Sequence, residues 1–425
     1  MSVPTAVTHS RAPRPLVRQR DFRLLWSGDT VSAVGDAVTL VALPLVALES
    51  LHASISATAG LTGVPYVPVL VLGLPVGAWV DRLPRRPVLL ASSLVAALAI
   101  GSVPAAAAAG VLTFAQLVVV SLLLGVCQLV TQTAAAAYLP EVVPRGQLTE
   151  ANGALQASTS AAQIGGPSLG GLLVQVASGP LALVADAVSF LAAGWALALI
   201  RTQPPERGPL PLRGRGALVR EVREGLRHVV ADPILRVLMV NAAVANLSLS
   251  AADALTVPFL RRTLGLSPGS LGLLIGLGSA GGVVGAAGAG RLARRFGTAR
   301  VVLVGILAST PAGLLLPLAE PGPRLALFVL GMFVLFTGLG IYNVTVSSYR
   351  QAATPPLLIG RVTAAMRVVM QGVIPLGAGL GAGLVTVVGV RAALALSLAI
   401  DLVPGMLLFF SPVRGVRDLP VDELV

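Results

Sequence analysis

A basic stretch from Gly77 to Arg86, GAWVDRLPRR, closes one of the long apolar segments of this chain. A related stretch from Gly290 to Arg295, GRLARR, closes a second apolar segment, and its Gly290 stands 209 positions after Asp81. Basic turns at equivalent places in two halves predict two repeats that cross a membrane in the same sense.

Composition independently indicates a membrane protein. Of the 425 residues, 55% are hydrophobic and 11% are charged, which is too little polar surface for a soluble protein of this length. Twelve apolar stretches approach the roughly 20 residues that span a bilayer core, and lipid favours helices because it cannot bond the backbone. We predict an all-α polytopic membrane protein with twelve transmembrane helices in two six-helix repeats. The predicted spans, helices 1 to 12, are 24–48, 57–80, 87–109, 113–137, 152–176, 180–200, 236–260, 267–290, 300–318, 325–348, 362–387 and 391–411.

The chain divides into a six-helix bundle at 1–200, a linker at 201–235 and a second six-helix bundle at 236–425. Within the linker, Leu218, Val222, Leu226 and Val229 recur at helical spacing among arginines and glutamates. This period favours an amphipathic helix on the inner membrane surface over a solvated connector.

Charge placement predicts the orientation. All 30 basic residues are arginines; on the predicted map 26 lie on one side of the membrane and four on the other. The positive-inside rule then predicts cytoplasmic N and C termini in the plasma (inner) membrane. The net charge of +12 therefore reflects topology and contact with membrane lipids, and no nucleic-acid partner is expected.

Several motifs resemble the major facilitator superfamily. Its signature turn between the second and third helices is Gly-x-x-x-Asp-Arg-x-Gly-Arg-Arg/Lys, and here only the inner glycine is replaced, by Pro84. Gly35-Asp36 in helix 1 and the stretch from Asp186 to Phe190 in helix 6 are similar to the exporter branch that includes macrolide efflux pumps and the enterobactin exporter. Helix 5 resembles the Gly-Pro-x-x-Gly-Gly signature of drug/proton antiporters, with Gly166, Pro167, Gly170 and Gly171.

The resemblance runs from about Asp21 to Phe410 and implies a secondary transporter that is not an enzyme. We expect a monomer without cofactor or metal. For the signature turn, it implies that Asp81 lies at the positive N-terminal end of helix 11, near Arg361, and acts as a gate. Gly77 supplies the family spacing, and Arg82, Arg85 and Arg86 are expected to bind lipid headgroups or carboxylates. The alternative is a basic turn that only sets topology.

Five carboxylates fall within the predicted spans, where each needs water or a partner. Asp29 and Asp36 are seven residues apart and share a helix face, with Asp36 near the membrane midplane. In the family fold, helices 1, 4, 7 and 10 line the cavity, which makes Asp36, Asp253 and Asp29 the proton-coupling candidates. Asp186 and Asp401, on peripheral helices, are expected to hold helices together.

Other polar residues are sparse, so a mostly apolar cavity for a lipophilic solute is expected. The function predicted is proton-coupled export of lipophilic small molecules, such as drugs or secondary metabolites, by alternating access. A gradient-independent facilitator or importer stays open because helix 4 lacks the arginine of many proton-coupled exporters, and so does a siderophore exporter. The substrate-cavity candidates are Gln128, Gln132, Asn241, Asn246, Tyr342, Asn343 and Arg367.

Overall fold

The computed structural model of the chain describes residues 15–80, 83–202, 217–355 and 358–419. Across these ranges the elements are helices joined by short turns, with no strand. Within the described ranges, eleven helices are long and apolar enough to cross a membrane. The twelfth, helix 5, has 30 residues but carries several polar side chains on its first half.

All twelve predicted spans coincide with helices, and each half contributes six. In the first half, helices 1 to 6 are Arg20–Leu45, Ile55–Gly63 with Val67–Val80, Arg85–Ala108, Phe114–Val142, Leu148–Ala177 and Gly179–Leu199. In the second half, helices 7 to 12 are Pro233–Pro258, Pro268–Phe296, Thr298–Gly313, Leu325–Ala353, Ile359–Gly372 with Ile374–Val388, and Val390–Ile400 with Leu402–Phe409.

Three of these helices are interrupted, which the sequence prediction did not include. Helix 2 passes through a 3-10 turn at Val64–Tyr66, helix 11 breaks just before Pro375, and helix 12 breaks at Asp401, three residues before Pro404. Each break has a proline within or shortly after it. Proline donates no backbone hydrogen bond and crowds the preceding turn, which accounts for the breaks.

Local structure repeats between the halves. Helix 1 and helix 7 both continue into a five-residue π turn, Val46–Ser50 and Phe259–Thr263, with starts 213 residues apart. The following helices are capped by Ser54 and Ser267, which are also 213 residues apart, and each hydroxyl accepts a backbone N–H three residues on. The same turn therefore connects helices 1 and 2 and helices 7 and 8.

The linker helix, Ala217–Ala231, packs on the second half. Val229 is fully buried in an apolar cluster with residues of helices 7 and 11. A methyl group on Gly225 would overlap the backbone of Arg361, and Glu224 forms an ion pair with the Arg361 guanidinium. Val229 and, in part, Leu226 thus pack on the second half, and the position of this helix at the inner membrane surface stays a prediction.

The segment after helix 12 closes the turn between helices 8 and 9. Asp418 accepts the backbone N–H of Thr298 at 2.9 Å, and the Arg417 carbonyl accepts the N–H of Ala299 at 3.2 Å. Gly297, at φ +95°, has no room for a side chain because the Arg417 carbonyl lies against it. Residues 417–419 are called the C-terminal strap below. We call the end of the bundle where the strap, residue 15 and the linker helix lie the tail end. The opposite end of the bundle is called the far end.

Candidate functional site

Two adjoining cavities lie inside the helical bundle. The first cavity, of about 440 Å³, is lined by residues 25 to 197 and so belongs to the first half. The second cavity, of about 270 Å³, is lined by both halves. Both are lined by Leu40, Pro44, Thr62 and Tyr66. Helices 1 and 2 therefore form the partition between them.

Two of the predicted acids open onto the first cavity. Asp29 and Asp36 line it, and both side chains are exposed to its interior. Asp36 lies about 24 Å along helix 1, since a helix rises 1.5 Å per residue from Arg20. Its carboxylate thus faces the cavity, and water in the cavity gives an intramembrane acid the access that proton exchange requires.

The rest of the first cavity is mainly apolar. Gln128 and Gln132 of helix 4 contribute exposed amides, and Thr131 contributes a hydroxyl. Among the described residues that line it, none is basic. A negative, largely apolar cavity favours solutes with apolar surface and disfavours free anions.

The second cavity contains the acid of the other half. Asp253 and Asn246 of helix 7 line it, with the Asp253 side chain exposed to the interior. Tyr66 lies close enough to interact electrostatically with Asp253. Acids therefore line both cavities, two from helix 1 in the first and one from helix 7 in the second, and Tyr66 lines both.

Two predicted cavity residues lie elsewhere, which is a correction. Asn241 is buried and its amide donates to the Pro404 carbonyl at 2.8 Å, joining helices 7 and 12. Tyr342 is buried and its hydroxyl donates to the Leu238 carbonyl at 2.9 Å, joining helices 10 and 7. Asn343 and Arg367 are exposed but are not among the lining residues of either cavity.

Asp186 of helix 6 does join helices. Its carboxylate accepts hydrogen bonds from Thr39 of helix 1 and Ser189 of its own helix, and it is fully buried. Asp401, 2% exposed at the break in helix 12, makes no side-chain hydrogen bond to the part of the chain that the structure describes.

The helix 5 signature is a packing surface for two helices. Methyl groups on Gly166 and Gly170 would press against Ala37 and Val38 of helix 1. On the other side, a methyl group on Gly171 would overlap the backbone of Pro268 in helix 8, and one on Gly272 would overlap the Pro167 carbonyl. Helix 5 therefore contacts helix 1 of its own half and helix 8 of the other half at backbone distance.

The signature turn is only partly described. Asp81 and Arg82 lie outside the described residues, and Gly77 is in the last turn of helix 2. Arg85, at the start of helix 3, forms an ion pair with Glu141 of helix 4, and Arg86 donates to two carbonyls at the end of helix 6. These two arginines thus tie three helices together at the tail end, and the gating role of Asp81 stays a prediction.

The far end carries a contact that sequence reasoning missed. Arg261 forms an ion pair with Glu49, and Arg262 donates to the Leu48 carbonyl at 2.9 Å. Close by, the Gln175 side chain accepts the backbone N–H of Gly269 at 2.9 Å. One signal could have revealed this contact, because Arg261 and Arg262 are two of only four arginines on the sparsely charged side.

Comparisons with known proteins agree with this architecture. A model of the Major Facilitator Superfamily matches residues 25–378. The chain is 30% identical over 412 residues to the multidrug efflux pump Tap of Mycolicibacterium fortuitum, covering 93% of this chain and 96% of that protein. Among solved structures, the nucleoside transporter NupG has a TM-score of 0.70 at 11% identity, covering 92% of this chain and 98% of that one. An inward-facing bacterial homologue of the iron transporter ferroportin has a TM-score of 0.71 at 19% identity, with 92% and 98% covered. The chain is therefore a multi-span membrane transporter that belongs to the major facilitator superfamily.

Proposed function

We propose that this transporter exports lipophilic small molecules in exchange for protons, by alternating access, with its tail end in the cytoplasm of the inner membrane. Asp36 is the proton carrier. The observation that carries this proposal is the position of its carboxylate, far along helix 1 and in the lining of the first cavity. An ionisable group at such depth is costly unless it has a function.

The contacts between the halves support a state with the far end closed. Helices 5 and 8 meet backbone to backbone at Gly171 and Pro268, and Glu49 pairs with Arg261 in the same region. With the tail end in the cytoplasm, this arrangement is inward-facing, and solute enters the first cavity from the cytoplasm. Breaking the far-end contacts then exposes the cavity to the outside.

The lining supports the choice of solute. Leucine, alanine, proline and phenylalanine side chains surround the two acids and the helix 4 amides. An apolar wall with few polar groups binds lipophilic compounds, whereas a sugar or a nucleotide needs many placed hydrogen-bond partners. The name of the Mycolicibacterium fortuitum relative, a multidrug efflux pump, points to the same class of solute.

The test is proton movement driven by solute in proteoliposomes, with a lipophilic dye as the solute. Asp36→Asn is expected to abolish coupled proton movement while equilibrium exchange of the dye continues, because binding and rocking do not require the charge. Asp253→Asn is expected to retain coupling. If only Asp253→Asn loses coupling, the carrier lies on helix 7. If the wild-type protein, both single variants and the double variant all transport the dye equally well with the proton gradient collapsed, the protein is a facilitator.

A further inference from the structure

Asp186 of helix 6 lies against the same turn of helix 1 that carries Asp36. Thr39 donates its hydroxyl to Asp186 Oδ2 at 2.5 Å. On the other side of Asp36, a methyl group on Gly35 would overlap Asp186 Oδ1 and the Ser189 hydroxyl. The Asp186 carboxyl is therefore bracketed by residues 35 and 39, on the turn of helix 1 that also carries Asp36.

The two carboxyl groups have different surroundings. Both oxygens of Asp186 accept a hydroxyl hydrogen bond, from Thr39 and from Ser189 at 3.0 Å, and the side chain is 0% exposed. Asp36 is open to the cavity and makes no hydrogen bond to a side chain within the described ranges. Hydrogen bonds to a carboxylate favour its ionised form, so the two donors help Asp186 to carry a negative charge, and Asp36 has no such donor.

We propose that Asp186 is a positioning residue for Asp36, and that its carboxylate sets the pH at which Asp36 gains and loses its proton. Two carboxylates on the same turn of packed helices, one of them fully buried, do not both ionise readily. The proton enters from cavity water onto Asp36, because Asp186 has no exposed surface of its own. The proposal rests on the proposed proton coupling only in making Asp36 the exchange site.

Other charged groups on the elements that pack against this pair lie towards the helix ends or in the cavities. Helix 1 also carries Asp29, which faces the first cavity. Arg86 of helix 3 is bound to carbonyls at the tail end of helix 6, and Glu49 pairs with Arg261 at the far end. Asp253 of helix 7, Tyr66 and Cys127 are the remaining titratable groups that line the cavities.

The geometry also explains the residue at position 35. Any side chain there would displace the Asp186 carboxyl or the Ser189 hydroxyl, so glycine lets helix 6 place an acid against helix 1. A carboxylate used only for packing would need no such access to the turn beside Asp36. Gly35, Thr39 and Asp186 together therefore form the support of the proton site.

The experiment is an infrared titration of protonated carboxyl groups in the purified transporter in lipid, with the Asp36 signal identified by its loss in Asp36→Asn. Asp186→Asn is expected to shift the midpoint of that signal by about one pH unit or more to lower pH, because a neighbouring negative charge is removed. Thr39→Val is expected to shift it to lower pH by a smaller amount, because Asp186 loses a donor, ionises less readily and so opposes the ionisation of Asp36 less. Thr39→Ser should restore the wild-type midpoint.

The matched control is Asp401→Asn, which removes another buried acid far along the chain in helix 12; it should leave the Asp36 midpoint unchanged. An unshifted midpoint in Asp186→Asn, or a shift to higher pH in Thr39→Val, would overturn this role of Asp186. If Asp186→Asn does not fold, the Thr39→Val and Thr39→Ser comparison still decides, since both retain the acid.

The titration does not depend on transport, so it tests the role of Asp186 independently of the assay that tests proton-coupled export. If the wild-type protein moves no protons with solute but the midpoints shift as expected, the role of Asp186 is supported and proton coupling is contradicted. If proton coupling is measured but Asp186→Asn leaves the Asp36 midpoint unchanged, the role of Asp186 is contradicted and the proposed function is not.

Discussion

Glu49 and Arg261 form an ion pair that joins the π turn after helix 1 to the π turn after helix 7. Both side chains are about one-third exposed, at 34% and 33%. The Leu48 carbonyl adds a second contact by accepting from Arg262. Because the two π turns belong to different halves, this pair has to separate before the far end can open.

Glu49→Gln is expected to shift the population from the far-end-closed state towards the open state by roughly two- to fivefold. A partly exposed ion pair contributes up to about 1 kcal/mol, and salt screens it. Spin-label distances across the far end measure the change. The double variant with Glu49→Arg and Arg261→Glu should recover part of the closed population. Equal distance distributions in wild type and Glu49→Gln at low salt would show that this ion pair does not hold the far end closed.

Gly171→Ala should disfavour the closed far end, because the added methyl group overlaps the Pro268 backbone, which cannot move without separating helices 5 and 8. We expect a clear loss of export and a larger open population. Gly165→Ala, in the same helix, is the matched control because nothing lies within 4 Å of its new methyl group. Equal losses of export in the two variants would show that helix 5 packing is not the cause.

Gly225→Ala is expected to loosen the linker helix from helix 11, because its methyl group would overlap the Arg361 carbonyl. Hydrogen–deuterium exchange of residues 217–231 should increase in this variant. Gly360→Ala, one residue from Arg361 and with open space around it, should not increase it. Unchanged exchange in Gly225→Ala would mean that the linker helix is held by other contacts.

Asp29→Asn should weaken binding of a lipophilic cation by roughly three- to tenfold and leave an uncharged analogue of the same size unaffected. The first cavity has acids and, among the lining residues described, no base, so removing one charge lowers its attraction for cations only. Fluorescence titration of the two dyes measures this. Equal losses for both dyes would mean that Asp29 supports the cavity wall and not the charge of the solute.

Much of the fold follows from local sequence. The twelve spans and the repeated basic turns are visible because apolar length and charge placement are properties of short segments. Helix order and periodicity are enough to predict which residues of a helix face the cavity. The residues predicted in this way that line the first cavity are Asp29, Asp36, Gln128 and Gln132.

Partners distant in sequence could not be predicted in this way. Asn241 bonds a carbonyl 163 residues away, and Tyr342 bonds one 104 residues away. The sequence predicts a cavity position for both, because a polar residue on a membrane helix gives the same sequence pattern whether it faces water or bonds the backbone of a neighbouring helix. The far-end pair of Glu49 and Arg261, 212 residues apart, was missed for the same reason.

The C-terminal strap has a consequence for biosynthesis. Asp418 and Arg417 supply acceptors to the first N–H groups of helix 9, but they are translated only after helix 12. Until then, helix 9 enters the membrane with that end uncapped and its turn to helix 8 unclosed. Assembly of the second half is therefore finished by residues that emerge from the ribosome after every span has been made, and a chain cut short just after helix 12 would have all its helices inserted but this turn unsecured.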